Sequence, residues 1–296
     1  MYILEQLING LSQGAIYALM AIGFTMIAGE VGLVSFTYGD TVMVGAFSAY
    51  LAAALFHENL ILTVIFTLII SAIMSVLVHA ICMAKFLEAP KHISMICTIG
   101  FGIITKNLVQ LIAGYEVKSM PELLGRSFFS ISGIRIGYVK IYIVAIVILL
   151  CIVLSILLHK TKTGIQLRAV SQDKKAAALL GINVHRITML GNMIGCMLGG
   201  LGGLLYAIYY GSILPTMGGA ISMKAMSASV LGGLSNIPVA AFAGVLLGIF
   251  ENFSVALFPQ GYRDLISFVF LIFVLIWKPH GIEFKFKKTY KEGKKP

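Results

Sequence analysis

VKIYIVAIVILLCIVLSILLHKTKTGIQLRAVSQDKKAAALLGINVHR, residues 139–186, joins two kinds of sequence that do not mix. Up to Leu158 it is oil-like, for about the twenty residues that a helix needs to cross a hydrocarbon core. From His159 onward it is basic and mixed in charge. A charged segment of that length cannot sit in lipid, and its Lys and Arg put it on the cytoplasmic side of a membrane. Its Ala- and Leu-rich second half can form a short helix, a shape suited to docking in a groove on a partner protein. The pairing implies a membrane transport protein that receives its energy from elsewhere.

The rest of the chain has the same character. Of 296 residues, 59% are hydrophobic and only 11% charged, against about 25% charged in a soluble domain. The whole of 1–296 therefore reads as one transmembrane domain, with no room for a separate soluble one. The net charge of +10 comes from Lys and Arg gathered in a few short segments, the signature of membrane orientation and not of nucleic-acid binding. Cys82, Cys97, Cys151 and Cys196 lie in or beside apolar runs without metal-ligand spacing, and read as small apolar residues. The opening MYILEQLINGLSQG has no basic region before its apolar stretch, so it is expected to be a retained first span.

Apolar runs fall at about 7–28, 33–56, 60–82, 92–113, 139–158, 187–209, 222–237, 239–257 and 264–277. They are continuous, not alternating, which excludes a membrane barrel. Backbone groups in lipid must bond internally, so the runs are helices. The fold class is all-α, a polytopic transmembrane helical bundle of about eight or nine spans. The prolines sit near the ends of the runs, as a residue that breaks helix interiors should. The lysine-rich tail 278–296 and the loop holding Lys85 and Lys91 are expected inside, which leaves the N-terminus outside. Loop 114–140, of mixed charge, then falls outside. Two stretches are too polar or too short for plain spans: 29–41 (GEVGLVSFTYGDT) and 222–237 (SMKAMSASVLGGLSNI). Interrupted helices of this kind are tolerated where they are buried in protein or line an aqueous path.

Gly191, Gly195, Gly199 and Gly203 recur every four residues and make a stripe for close helix packing, either within one subunit or at an interface or gate. Gly10 with Gly14, and Gly244 with Gly248, repeat the spacing. Asn9, Gln13, Tyr17 and Thr25 share one helical face, which bonds to a neighbouring helix or lines a pore. Asp40 and Glu251 are carboxylates inside or at the edge of spans, where such groups are costly and are functional or paired. For Asp40 the other reading is a solvated residue favoured by its helix N-terminus. Lys106 is expected to snorkel to an interface; Lys224 either does the same or marks the mouth of the short segment. No G-x-x-x-x-G-K-[ST] loop, H-E-x-x-H or Ser–His arrangement is present, so no catalytic activity is expected. A self-sufficient secondary transporter would need mid-membrane ion ligands, for which only Asp40 and Glu251 qualify.

The chain resembles the permease subunits of bacterial ABC importers for branched-chain amino acids, particularly the first of the two related permeases. The likeness runs through G-x-x-Y-A-L-x-A-I-G-x-T-M from Gly14 to Met26, and through R-A-x-x-x-D-x-K-x-A-x-L-L-G-I-N from Arg168 to Asn183. It returns as M-K-A from Met223, L-G-G from Leu231, and Tyr262–Arg263–Asp264. The family's usual Asn-Phe-Ala-His-Gly-Glu stands here as Ser35, Phe36, Thr37, Tyr38, Gly39 and Asp40, and Lys106 replaces an apolar residue. Urea, amide and general amino-acid importers share much of the pattern. The resemblance implies an ATPase-coupling element within 159–186, matched at Arg168, Ala169, Asp173, Ala177 and Gly181. A candidate translocation pathway follows at Ser35, Tyr38, Asp40, Thr41 and Gln13. It also implies the partners: a second related permease forming a heterodimer, two cytoplasmic ATPases that bind the ATP and magnesium, and an extracytoplasmic solute-binding protein. This chain would hold no cofactor of its own, and its home would be the bacterial inner membrane.

Overall fold

A computed structural model describes residues 2–31, 35–86, 91–124, 128–131, 134–234 and 236–257, and scattered positions from 259 to 276. Most of the last apolar run and all of the tail 278–296 lie outside the described residues, as do Arg263 and Asp264.

The elements follow the apolar runs. Helix α1 (Tyr2–Thr25) carries on as a π-helical turn over Met26–Val31. After it come α2 (Tyr38–Leu55) and α3 (Leu60–Val78), the latter extended by a π turn and a 3-10 turn to Phe86. Helix α4 (Lys91–Ala113) leads to strand β1 (Lys118–Ser119) and the hairpin β2 (Phe128–Ile131) and β3 (Ile134–Gly137). Helix α5 (Tyr138–Lys160) is followed by two short helices, α6 (Lys162–Gln172) and α7 (Lys174–Leu179). Then come α8 (Val184–Tyr210), β4 (Ser212–Ile213), α9 (Met217–Leu231) and α10 (Ile237–Leu257).

Among the described residues, six helical stretches are long and apolar enough to cross a membrane: Glu5–Gly29, Leu60–Phe86, His92–Ala113, Tyr138–Lys160, Val184–Tyr210 and Ile237–Val255. Of the two stretches read as interrupted, the first is non-helical at Ser35–Thr37, and α2 starts afresh at Tyr38 beside Met20 of α1 and Thr98 of α4. The second lies earlier than its sequence bounds, as α9. Fifteen residues at 1.5 Å each span only about 22 Å, short of a bilayer core. It stops at Gly232–Leu234, where Gly233 and Leu234 take positive φ angles of 78° and 56°.

Connections sort to two ends. Strand β1 pairs antiparallel with β4 (Lys118 opposite Ile213), so the α4–α5 and α8–α9 connections share one end. At the other, the His79 and His185 rings stand 5.0 Å apart, which brings the end of α3 to the α6–α7 platform. The end of α3 and the α6–α7 platform therefore lie at one end of the bundle, and the β1–β4 pair at the other.

Residues on α3 show how the bundle is turned. Ile61, Ile65, Ile69 and Ile73 are exposed, while Thr63, Thr67, Ser71 and Ser75 are buried. In lipid there is no hydrophobic drive between helices, so small polar residues face inward and large apolar ones face the chains of the lipid. Asn192 of α8 donates to both the carbonyl (3.1 Å) and the hydroxyl (2.8 Å) of Ser75. Helix α1 sits at the centre, and 89% of its most apolar window is buried. It packs most closely on α10 through the two glycine pairs. A Cβ at Gly14 would lie 2.6 Å from the Val245 carbonyl oxygen, and one at Gly244 the same distance from the Ala18 Cα.

The α8 stripe also packs inside the chain. Gly191 faces Leu167 and Val31, Gly195 faces Ile27, Gly199 lies under the Tyr38 ring, and Gly203 meets the backbone of Val42.

Candidate functional site

Three places gather the residues singled out in the sequence. The first is the platform of α6 and α7. Thr161 caps α6, its hydroxyl accepting from the Gly164 N–H at 3.2 Å. Asp173 ends α6 and caps α7: its Oδ1 accepts from the Lys175 (2.8 Å) and Ala176 (3.1 Å) N–H groups. Its charge therefore sits at a helix N-terminus, where it is favoured. Gly181, at φ 79°, closes α7 in the left-handed conformation that a Cβ disfavours, and its N–H bonds the Ala178 carbonyl at 3.0 Å. Helix α6 is fixed to the bundle through Leu167 and Val170, both buried, and touches α5, α8 and the π turn after α1. In α7 only Ala177 is buried. Leu179 and Leu180 stand 90% and 79% exposed, more than a water-facing leucine pair would be left without something to cover it. Arg168 and Ala169 are half-buried on α6, and the Arg168 Nε is enclosed with no hydrogen-bond partner among the described residues.

The second place is a buried polar network between α1, α9 and α10. Lys224 Nζ lies 2.9 Å from Glu251 Oε1 and 3.2 Å from the Tyr17 hydroxyl. Tyr17 also bonds Glu251 Oε1 at 3.2 Å and accepts from Gln13 Nε2 at 2.8 Å; Asn252 donates to the Gln13 carbonyl. Lys224 thus neither snorkels nor marks a mouth: its charge is met by a carboxylate on the adjacent helix. The Asn9–Thr25 face of α1 turns to its neighbours. Asn9 accepts from Lys140, and Thr25 bonds Ser229 at 2.7 Å. Gln13, placed in the pathway set, belongs here.

The third place is a cavity of about 290 Å³ lined by Phe36, Asp40, Ile99, Gly102, Ile103, Lys106, Gly219, Ser222 and Met223. The stretch before α2 is pinned to α4: the Phe36 N–H bonds the Thr98 hydroxyl (3.2 Å), and the Thr37 hydroxyl donates to the Thr98 carbonyl (2.6 Å). This sets Asp40, in the first turn of α2, between two glycines. A Cβ at Gly102 would strike its Oδ2, and one at Gly218 would lie 3.2 Å from its Oδ1. Lys106 reaches the same cavity from α4. Of the other pathway candidates, Ser35, Tyr38 and Thr41 are buried and do not line the cavity. The Tyr38 hydroxyl donates to the Met20 carbonyl (2.7 Å) and Thr41 to the Thr37 carbonyl (3.0 Å). Ile99, Ile103 and Met223 at the rim are exposed, so the cavity opens sideways from the bundle. A carboxylate and an ammonium opening onto lipid would be costly; this face calls for water or another protein.

Sequence comparison gives a consistent account of the whole chain. The family described as branched-chain amino acid transport system, permease component, matches residues 6–275. The high-affinity branched-chain amino acid transport system permease protein BraD of Pseudomonas aeruginosa is 33% identical over 291 residues, covering 94% of this chain and 95% of the relative. The corresponding LivH protein of Escherichia coli strain K12 is 32% identical over 296 residues, covering 95% and 96%. A probable branched-chain amino acid transport permease protein LivH of Methanocaldococcus jannaschii is 28% identical over 282 residues, covering 89% and 87%.

Proposed function

The chain belongs to the branched-chain amino acid transport permease family, and from that premise we propose how it works: as a passive conduit moved by ATPases that grip α7. It is a membrane-spanning permease subunit of an ABC importer for branched-chain amino acids. The near-full-length relatives favour that solute class over urea and amides, and over a stand-alone carrier. ATP is hydrolysed by two partner ATPases in the cytoplasm, and this chain performs no catalysis and holds no cofactor. A second, related permease completes the pathway on the side where the Asp40 cavity opens, and an extracytoplasmic binding protein delivers the solute. The N-terminus lies outside the inner membrane and the tail 278–296 inside.

One observation supports the coupling role: a short helix, capped at both ends, holds Leu179 and Leu180 out from the bundle at the basic end, the one we assign to the cytoplasm. Because α6 touches α5, α8 and the end of α1, a push on α7 reaches three spans at once. Closure of the ATPase pair would thereby shift the spans between outward- and inward-open states, by binding one state better than the other. The test is co-purification of the ATPase subunit from cells expressing the importer. Leu179→Asp with Leu180→Asp is expected to lose the ATPase while the permease stays in the membrane; undiminished co-purification would refute the grip on α7.

A further inference from the structure

We propose that the cavity between α2, α4 and α9 is a transient binding site for the zwitterionic head of an amino acid, with Asp40 taking the α-ammonium and Lys106 the α-carboxylate. This rests on the importer reading and goes further, by naming the two charges in this chain that recognise the solute.

Several observations carry it. Asp40 and Lys106 come from different helices and line one cavity, yet no ion pair joins them, and neither is hydrogen-bonded to any described residue. Two opposite charges that share a cavity without closing on each other leave their bonding capacity for something between them. An amino acid is such an object, carrying both charges on adjacent carbons. The geometry around Asp40 holds its carboxylate in place. With Gly102 on one side and Gly218 on the other, backbone and not side chain bounds it, so the carboxylate fits between α4 and α9. The remaining lining is apolar on α4, where Ile99 and Ile103 stand, and would receive a branched aliphatic side chain. At about 290 Å³ the cavity is at the small end of ligand sites, in keeping with a solute of amino-acid size. An ion dipole fits better than a cation or an anion, because either alone would leave one of the two charges uncompensated in a region of low dielectric.

The experiment uses the full chain purified in detergent, with and without its partners. Melting temperature is followed during titration with L-leucine, with L-leucinol, which lacks the carboxylate, and with 4-methylpentanoate, which lacks the ammonium. A ligand that binds only the folded state raises the melting temperature. L-Leucine is expected to do so, and each one-charge analogue to need at least about tenfold more for the same rise, the size of one lost charged hydrogen bond. Asp40→Asn and Lys106→Met are expected to weaken the L-leucine effect by a similar factor. The proposal is overturned if L-leucine gives no rise, if the analogues match it, or if both variants respond like the unchanged chain. The analogue series needs no variant, so it decides the matter even where one fails to fold. Co-purification of the ATPase is scored on the same preparations: its loss from the unchanged chain would sink the importer reading, whereas its presence beside a null titration sinks the zwitterion site alone.

Discussion

Lys224 on α9 and Glu251 on α10 form a buried ion pair, with Nζ and Oε1 2.9 Å apart. Tyr17 of α1 bonds to both partners, so three helices meet at one pair of charges. The pair holds a short helix, which cannot span the bilayer by itself, against two long ones.

Removing one member should be worse than removing both. Lys224→Met leaves the Glu251 carboxylate buried without its cation, a change that costs about 3–5 kcal/mol in proteins generally. The double variant Lys224→Met with Glu251→Gln should recover most of that loss. Thermal unfolding of the purified chain in detergent checks the order; equal destabilisation by single and double variants would contradict it.

Asp173 separates capping from charge. Asp173→Ala should lower the stability of the α6–α7 joint by about 1 kcal/mol, the usual worth of a cap. Asp173→Asn keeps the acceptor that Lys175 and Ala176 use and should be nearly neutral. Hydrogen exchange at the Lys175 and Ala176 amides reads the joint directly: faster in the alanine variant, close to unchanged in the asparagine one.

The α1–α10 seam admits no side chain. Gly14→Ala and Gly244→Ala each place a Cβ within 2.6 Å of backbone across the seam, and overpacking of this kind costs about 1–3 kcal/mol. A lower melting temperature in both variants is expected. Gly219→Ala, where a Cβ meets nothing within 4 Å, should melt with the parent.

Gly102→Ala tests the wall of the cavity. Its new Cβ would strike the Asp40 carboxylate and turn it from its place between α4 and α9. Uptake of L-leucine by the assembled importer should fall several-fold while ATPase co-purification holds. Gly100→Ala, on the same helix with open space beside it, should transport normally.

Much of this was open to reading before any coordinates, and the reasons differ by element. The long apolar runs were legible because lipid demands both length and composition. The short helix α7 was legible from its Ala- and Leu-rich composition, and Asp173 and Gly181 were matched through the family resemblance; that Asp173 caps the helix was not foreseen. The meeting of Gly10 and Gly14 with Gly244 and Gly248 was invisible, although both pairs had been noticed, because nothing local says which stripe faces which. Lys224 was misjudged for a related reason. A lone charge in an apolar run is read against lipid, whereas here it finds a carboxylate on the next helix. The signal that could have found the pair was the coincidence of an unexplained Lys and an unexplained Glu in neighbouring runs. The inward row Thr63, Thr67, Ser71 and Ser75 was also present in the sequence at a spacing of four and went unread.

The central position of α1 bears on biogenesis. Its Tyr17 and Gln13 bond Lys224 on α9 and Glu251 and Asn252 on α10, and α10 begins only at Ile237. For most of synthesis the bond between Gln13 and Tyr17 within α1 can form, but their partners on α9 and α10 are not yet made. Truncation before Ile237 leaves the buried Tyr17–Lys224–Glu251 network without its carboxylate, and should send the chain to proteolysis.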